Sequence, residues 1–255
     1  MEKGVVAVIP ARLDSTRLPR KILVELAGKP MIRHVYERTS FAESISRVLI
    51  ATDSREVARV VEEWGGAVAM TDTNLLSGTA RIASIIDRID AEIIVNVQGD
   101  QPLVEPELID KLVGSFQDST ADIITPVFQI TEASDLTDPG IAKVVRGNDG
   151  RALYFSRSPI PYVRDAPLAE WPKRVTYWAQ YGIYGFRRHV LENFNTSLPP
   201  SQLEQAEKLE QLRFLEAGYS IYTFKTRFRQ IAVDTGEDLA RVRRILASQP
   251  HRESG

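Results

Sequence analysis

The sequence predicts an α/β protein: a mostly parallel mixed sheet with helices on both faces, carrying a small inserted lobe. Three observations lead there. Val5-Val6-Ala7-Val8-Ile9 and Ile93-Ile94-Val95-Asn96-Val97 are nearly continuous apolar, β-branched runs, which is how a strand covered on both faces reads. Around them strand and helix patterns alternate through the first half of the 255 residues, an order that produces parallel strands joined by right-handed crossovers. The second half loses that rhythm. It carries a hairpin and a Pro- and charge-rich stretch from Ser158 to Lys173, so we expect one domain over residues 1–255 with a lobe inserted at about 140–190.

Taken in order, the strand at 5–9 leads through a polar loop into a helix from about Met31 to Ser40. A strand Val48-Leu49-Ile50-Ala51, a helix from Ser54 to Trp64 and a short strand from Ala67 to Met70 come next. Ser77 to Ile89 reads as one helix, because Ile82, Ile85, Ile86 and Ile89 recur at three- and four-residue spacing. After the strand at 93–97, a helix lies near Pro106 to Phe116 and a strand runs from Asp122 to Phe128. Lys143-Val144-Val145-Arg146 and Ala152-Leu153-Tyr154-Phe155 form a hairpin around Gly147-Asn148-Asp149-Gly150. An aromatic strand from Tyr181 to Phe186, a helix from Leu203 to Leu215 and a strand Ile221-Tyr222-Thr223-Phe224 follow. A helix from Thr235 to Leu246 closes the chain, with Thr235 and Asp238 as a capping pair.

Composition removes whole classes of chemistry. No cysteine is present, which excludes disulfides, thiolate nucleophiles and Cys-ligated metal centres. His34, His189 and His251 are the only imidazoles, so a three-His metal site would need all of them. With 32 Lys+Arg against 34 Asp+Glu the net charge is −2, which argues against a general nucleic-acid coat or a polybasic membrane anchor. The first apolar run is too short for a signal peptide and no stretch nears the roughly 20 apolar residues of a membrane helix. The expected compartment is the cytoplasm.

What remains is chemistry by charge and position. The loop after the first strand carries Arg12, Arg17, Arg20 and Lys21 with the hydroxyls of Ser15 and Thr16, a set that suits a triphosphate. It is neither a Walker loop, since Gly28-Lys29 is followed by Pro30, nor a GxGxxG fingerprint. Its place beyond a buried strand is where ligands bind in such sheets. In Gln98-Gly99-Asp100-Gln101, Asp100 either holds a hard divalent cation or ends a strand in a turn, and Gly99 would let the backbone approach a ligand. Asp234, after Ile231-Ala232-Val233, is either a second carboxylate for that cation or a residue preceding a helix. Ser77-Gly78-Thr79 reads as a helix cap, Glu210-Gln211 as a solvated helix face, and Tyr177, Trp178, Tyr181, Tyr184 and Phe186 as core or interface.

In combination these pieces resemble the cytidylyltransferases that activate sugar acids as CMP derivatives, most closely the 3-deoxy-manno-octulosonate (KDO) cytidylyltransferase family. The resemblance covers nearly the whole chain. It rests on Ile9-Pro10-Ala11-Arg12 with Ser15-Thr16-Arg17-Leu18-Pro19 and Lys21, on Gly28-Lys29-Pro30-Met31-Ile32, Ala51-Thr52-Asp53, Ser77-Gly78-Thr79 and Asn96-Val97-Gln98-Gly99-Asp100. Ala152-Leu153-Tyr154-Phe155-Ser156-Arg157, Gly182-Ile183-Tyr184-Gly185, Leu209-Glu210-Gln211-Leu212-Arg213 and Val233-Asp234-Thr235 complete the ordered set. The resemblance implies a nucleotide-diphospho-sugar transferase-like fold, a homodimer, Mg²⁺ as cofactor, and CTP with an acidic sugar as substrates. The implied reaction makes CMP-KDO and pyrophosphate for lipopolysaccharide biosynthesis. Its implied CTP site is Ala11, Arg12, Ser15, Arg17, Lys21, Ser77, Gly78, Thr79, Gln98 and Asp100, with Arg12 and Lys21 on the phosphates and Ser77 to Thr79 against the cytosine and ribose. The implied sugar site is Gln98, Arg157, Gln180, Tyr184, Glu210 and Gln211, with Arg157 on the sugar carboxylate, and the implied Mg²⁺ ligands are Asp100 and Asp234. Arg12, Lys21, Asp100 and Asp234 form the implied catalytic set.

The sequence departs from the family pattern at Leu75-Leu76, Ala80, Arg20 and Ala179-Gln180, where an Arg-His pair is usual. Gln180 bears on which sugar acid is used: KDO, an amino-substituted KDO or a nonulosonate. The reading from a different class is a non-catalytic sugar-nucleotide-binding protein.

Overall fold

The computed structural model describes residues 4–13, 15, 17–75 and 77–248. In chain order its strands are β1 (Val5–Ala11), β2 (Glu25–Leu26), β3 (Lys29–Pro30), β4 (Ile45–Thr52), β5 (Val68–Met70) and β6 (Ile93–Val97). They continue with β7 (Ile123–Ile130), β8 (Lys143–Arg146), β9 (Ala152–Ser156), β10 (Tyr177–Gln180), β11 (Ile183–Arg187) and β12 (Ile221–Lys225). The helices are α1 (Met31–Ser40), α2 (Arg55–Glu63), α3 (Gly78–Ala83), α4 (Pro106–Gly114) and α5 (Ala133–Thr137). After them come α6 (Trp171–Arg174), α7 (Arg188–Thr196), α8 (Gln202–Glu207), α9 (Gln211–Glu216) and α10 (Gly236–Ser248).

The sheet is parallel where the sequence alternates and mixed where it does not. Its order is β5-β4-β1-β6-β11-β7-β10-β8-β9, with β12 on the other edge of β7. β5, β4, β1 and β6 are parallel neighbours. β11 enters antiparallel between β6 and β7, and β12 runs parallel to β7. Side chains along β1 alternate between two cores, Val6 and Val8 on one side and Ala7, Ile9 and Ala11 on the other. That is why the run is apolar at every position. Ile32, Val57, Leu108 and Val242 bring α1, α2, α4 and α10 to one face; Ile82, Val190 and Leu212 bring α3, α7 and α9 to the other.

Three expectations about single elements are corrected. The helix expected over 77–89 stops at Ala83 and continues as a 3-10 turn at Ile86–Arg88, although Ile82, Ile85, Ile86 and Ile89 are all buried. Apolar spacing records which side faces the core and not whether the hydrogen-bond ladder is unbroken. The aromatic strand divides at Tyr181-Gly182: Gln180 opposes Val127 while Gly185 opposes Ile124, so the strand gains two residues on β7. Below that bulge β11 pairs with β6, and above it β10 pairs with β8, which carries the segment 140–180 into the main sheet. The helix expected over 203–215 breaks at Lys208, whose φ of 53° is left-handed, leaving α8 and α9. The reciprocal bonds of Thr235 and Asp238 at the start of α10 are present as expected.

Asp122, at the entry to β7, accepts from the backbone N–H and the hydroxyl of Ser220 before β12, and faces His189 of α7 at 3.1 Å. Burial pushes this carboxyl up, but the hydrogen bonds from Ser220 and His189 outweigh it and its pKa lies below the ordinary 3.8. A depressed carboxyl stabilises the fold above the unfolded value, and that contribution is lost as pH falls through the folded one. Asp122→Asn is therefore expected to lower the urea midpoint at neutral pH and to flatten its decline below the ordinary aspartate pKa. Urea titrations at neutral and acid pH check this.

Candidate active site

Two adjoining cavities of about 690 Å³ each open beyond the carboxyl ends of β1 and β6. Arg12, Ser15, Arg17, Lys21, Ser77, Gly78, Gln98 and Asp100 line the first. Thr79, Arg157, Gln180, Tyr184 and Gln211 line the second. Arg17, Gln98, Glu210 and Asp234 border both, so whatever fills one cavity meets the occupant of the other there. A larger cavity of about 780 Å³ between Ser197 and Tyr219 contains none of these residues, and the guanidinium of Arg213 on its wall already donates to the Phe194 and Leu198 carbonyls.

The centre of the site is Lys21. Its ammonium donates to Asp100 Oδ2 and to Asp234 Oδ1, each at 2.8 Å, and Arg17 reaches Asp234 at 3.2 Å. Burial pulls the lysine's pKa down, but the charges and hydrogen bonds of Asp100 and Asp234 outweigh it and raise the value above 10.5, so Lys21 stays charged. A backbone bond brings together carboxylates that lie far apart in sequence: the Val233 N–H donates to the Asp100 carbonyl at 2.9 Å. Asp238, held by Thr235, also accepts from the Asp234 N–H at 3.1 Å and fixes the approach of the segment that leads into α10.

Asp100 and Asp234 are hard oxygen donors on a cavity floor, which suits a small divalent cation sharing its shell with phosphate and water. Among the described residues no group of three or more His, Cys, Asp or Glu is clustered for a metal. A cation here would take its remaining ligands from phosphate and water. Lys21 now balances the two carboxylates and is placed to turn to a phosphate once one enters.

The structure separates several residues that the sequence left together. Arg20 lines neither cavity: its backbone is left-handed at φ 56° and its side chain pairs with Glu56. That conformation is one a glycine adopts freely and a residue with a Cβ adopts at a cost. Ala11 packs into the core at 1% exposure and offers no side-chain surface to either cavity. A Cβ on Gly99 would lie 3.1 Å from the Pro10 carbonyl and 3.3 Å from Ile32, so this glycine serves the packing of β1 against α1 as well as bordering the first cavity. Ser77 caps α3 by accepting from the Ala80 N–H, and Thr79, on the wall of the second cavity rather than the first, donates its N–H to Glu210 Oε2 at 3.3 Å. Arg157 lines the second cavity, yet its guanidinium donates to the carbonyls of Pro139, Glu207 and Lys208. It braces the break at Lys208 and keeps two of its five N–H groups for a ligand. Thr16, Leu76 and His251 lie outside the described residues.

Glu210 and Gln211 correct the reading of a solvated helix face. The left-handed Lys208 turns the chain so that Gln211 is 3% exposed and Glu210 stands between the cavities. Arg81 was missed altogether. It lines the first cavity at 0% exposure, bonded to Asp53 at 2.8 Å and to the Thr71 hydroxyl, while its Nε–H has no partner. Nothing in the sequence couples positions 53 and 81; the one available signal was an arginine placed next to the buried stripe Ile82–Ile85.

A family model described as "Cytidylyltransferase" matches residues 6–225. A 3-deoxy-manno-octulosonate cytidylyltransferase from Chloroherpeton thalassium is 45% identical over 249 residues, covering 96% of this chain and 98% of the relative. The enzyme of that name from Escherichia coli is 41% identical over 249 residues, with 98% of each chain covered. Among solved structures, CMP:2-keto-3-deoxy-manno-octonic acid synthetase complexed with CTP superposes with a TM-score of 0.88 at 40% identity, over 96% of this chain and 98% of the other. A cytidylyltransferase from Leptospira borgpetersenii shares the fold at a TM-score of 0.67 and 18% identity, over 100% of this chain and 91% of that one.

Proposed function

The chain belongs to the 3-deoxy-manno-octulosonate cytidylyltransferase family, and from that premise we propose that it transfers the cytidylyl group of CTP to the anomeric hydroxyl of KDO. The products are CMP-KDO and pyrophosphate. The observation that carries this reading is the junction of two cavities at Arg17, Gln98, Glu210 and Asp234, beside the ion triad of Lys21, Asp100 and Asp234.

In this arrangement CTP takes the first cavity, with Arg12, Arg17 and Lys21 on its phosphates and Ser77 and Gly78 beside the nucleoside. The sugar acid takes the second. As the anomeric oxygen bonds to the α-phosphorus, the bond to the bridging oxygen of pyrophosphate breaks. The hydroxyl proton passes to a carboxylate at the junction or to water. No side-chain nucleophile is needed, because transfer of this kind is driven by positioning and charge neutralisation. Lys21 and the two arginines neutralise the pyrophosphate as it leaves. Asp100 and Asp234 would hold Mg²⁺, which when bound would acidify the attacking hydroxyl and offset charge on the α-phosphate.

Three further proposals share this basis. The exposed Leu153 (59%), Tyr162 (76%) and Leu168 (37%) of the lobe suit a homodimer interface. Use of CTP suits a cytoplasmic enzyme. CMP-KDO as product suits lipopolysaccharide biosynthesis. The test is pyrophosphate release from CTP with Mg²⁺ and a panel of octulosonates and nonulosonates, with other triphosphates compared. Release with CTP and KDO is expected. Binding of CTP with no release from any sugar acid would leave the non-catalytic reading instead.

A further inference from the structure

We infer that the second cavity selects a sugar group that donates a hydrogen bond, because a one-way chain of side chains obliges the Tyr184 hydroxyl to accept. The inference rests on the cytidylyltransferase reading and narrows its substrate.

The chain begins at Thr125, fully buried in β7. Its hydroxyl lies 2.8 Å from the Ile183 carbonyl and 3.2 Å from the Tyr181 carbonyl, both at the strand bulge. Carbonyls only accept, so the Thr125 proton points at one of them and its lone pair faces Gln180. Gln180 must therefore turn its NH₂ to Thr125, at 3.3 Å, and its Oε1 to Gln211. Gln211 in turn donates its NH₂ to Gln180 Oε1 at 2.7 Å and leaves its own Oε1 for Tyr184, at 3.1 Å. The Tyr184 proton is committed to that oxygen. Gln180 and Gln211 are 7% and 3% exposed, so neither amide can reverse alone without leaving two acceptors or two donors face to face away from water, and reversing both would take the Thr125 proton away from the Ile183 carbonyl and leave two oxygens 2.8 Å apart with no hydrogen between them. Burial pushes the Tyr184 phenol up and outweighs an opposing hydrogen bond from the Gln180 amide, so its proton stays on. With one lone pair turned toward Gln180, what the tyrosine presents to a ligand is the other.

A hydroxyl or an ammonium satisfies that oxygen, and a carbonyl, an ether or a fluorine does not. No charge stands on the chain itself, so a cationic amine on the sugar meets no repulsion from it. Gln180 and Thr125 act as positioning residues, setting the polarity of an atom that neither needs to touch the sugar to control.

The test compares kcat/KM for KDO with that for its deoxyfluoro and aminodeoxy analogues at each hydroxyl other than the anomeric one, which is the nucleophile, read by pyrophosphate release. At one hydroxyl we expect fluorine to cost roughly tenfold or more and an amine to be retained. In Tyr184→Phe the preference at that position is expected to vanish. In Gln180→Met and in the near-isosteric Thr125→Val the ratio of amine to fluorine is expected to fall while KM for CTP stays unchanged. Thr125→Val, which preserves shape, guards against a Gln180 variant that fails to fold. Acceptance of fluorine with rejection of the amine would overturn the inference, as would a ratio that survives both positioning variants. If wild type releases pyrophosphate with none of the sugars, the cytidylyltransferase reading itself falls, and this inference with it.

Discussion

Asp100→Ala is expected to reduce turnover by on the order of a thousandfold or more while leaving the fold intact. The asymmetry follows from the triad. Asp100 is 27% exposed at its side chain and shares Lys21 with Asp234, so removing it leaves the ammonium still paired at 2.8 Å. No buried charge is orphaned and the strand end keeps its backbone bond to Val233. Catalysis has no such reserve. With one carboxylate gone, only Asp234 is left to hold the proposed cation against the phosphates. Pyrophosphate release together with a thermal melt measures both halves, and near-normal activity would remove Asp100 from the mechanism. Lys21→Met provides the contrast: it leaves two carboxylates facing each other across the vacated ammonium, and is expected to lower both activity and stability.

The largest loss of stability is expected at Arg81. Arg81→Met should cost about 3–5 kcal/mol, the range for breaking a buried ion pair from one side. Asp53, 15% exposed at its side chain, would lose its partner, and the Thr71 hydroxyl would lose its donor. The methionine replaces the length of the chain but none of its hydrogen bonds. Urea unfolding checks the number, and the double variant Arg81→Met with Asp53→Leu should recover part of the loss because no charge is then left buried. A cost under about 1 kcal/mol for the single variant would mean that water reaches Asp53. Because Arg81 also lines the first cavity, the affinity for CTP is expected to fall along with stability.

Most of the sheet is legible in the sequence. The runs at 5–9 and 93–97 had to be covered on both faces, and each places its following loop at the site, Arg12 after one and Gln98 to Asp100 after the other. Lys21 was legible as charge beyond the end of a buried strand. Asp100 and Asp234 were each one option of two, since a carboxylate in a strand-ending turn or before a helix has an ordinary reason to be there. The two helix errors have a common form. Residues 77–89 and 203–215 were each read as one unbroken helix, and a local helical pattern survives a break, so Glu210 and Gln211 were assigned to solvent.

The sequence by itself determined the α/β class, the order of its elements, the absence of thiol chemistry and the cationic loop beyond the first strand. These depend on residue type and on local period, and both are written along the chain. Only the tertiary structure decided that Lys21 stands between Asp100 and Asp234, that Arg81 is buried on Asp53, and that Thr125, Gln180, Gln211 and Tyr184 form one directed chain. Each of those is a contact between segments remote in sequence. Their geometry is set by a strand bulge at Tyr181-Gly182, a left-handed Lys208 and a backbone bond from Val233, small departures from regular structure that change no residue's character and leave no periodic trace.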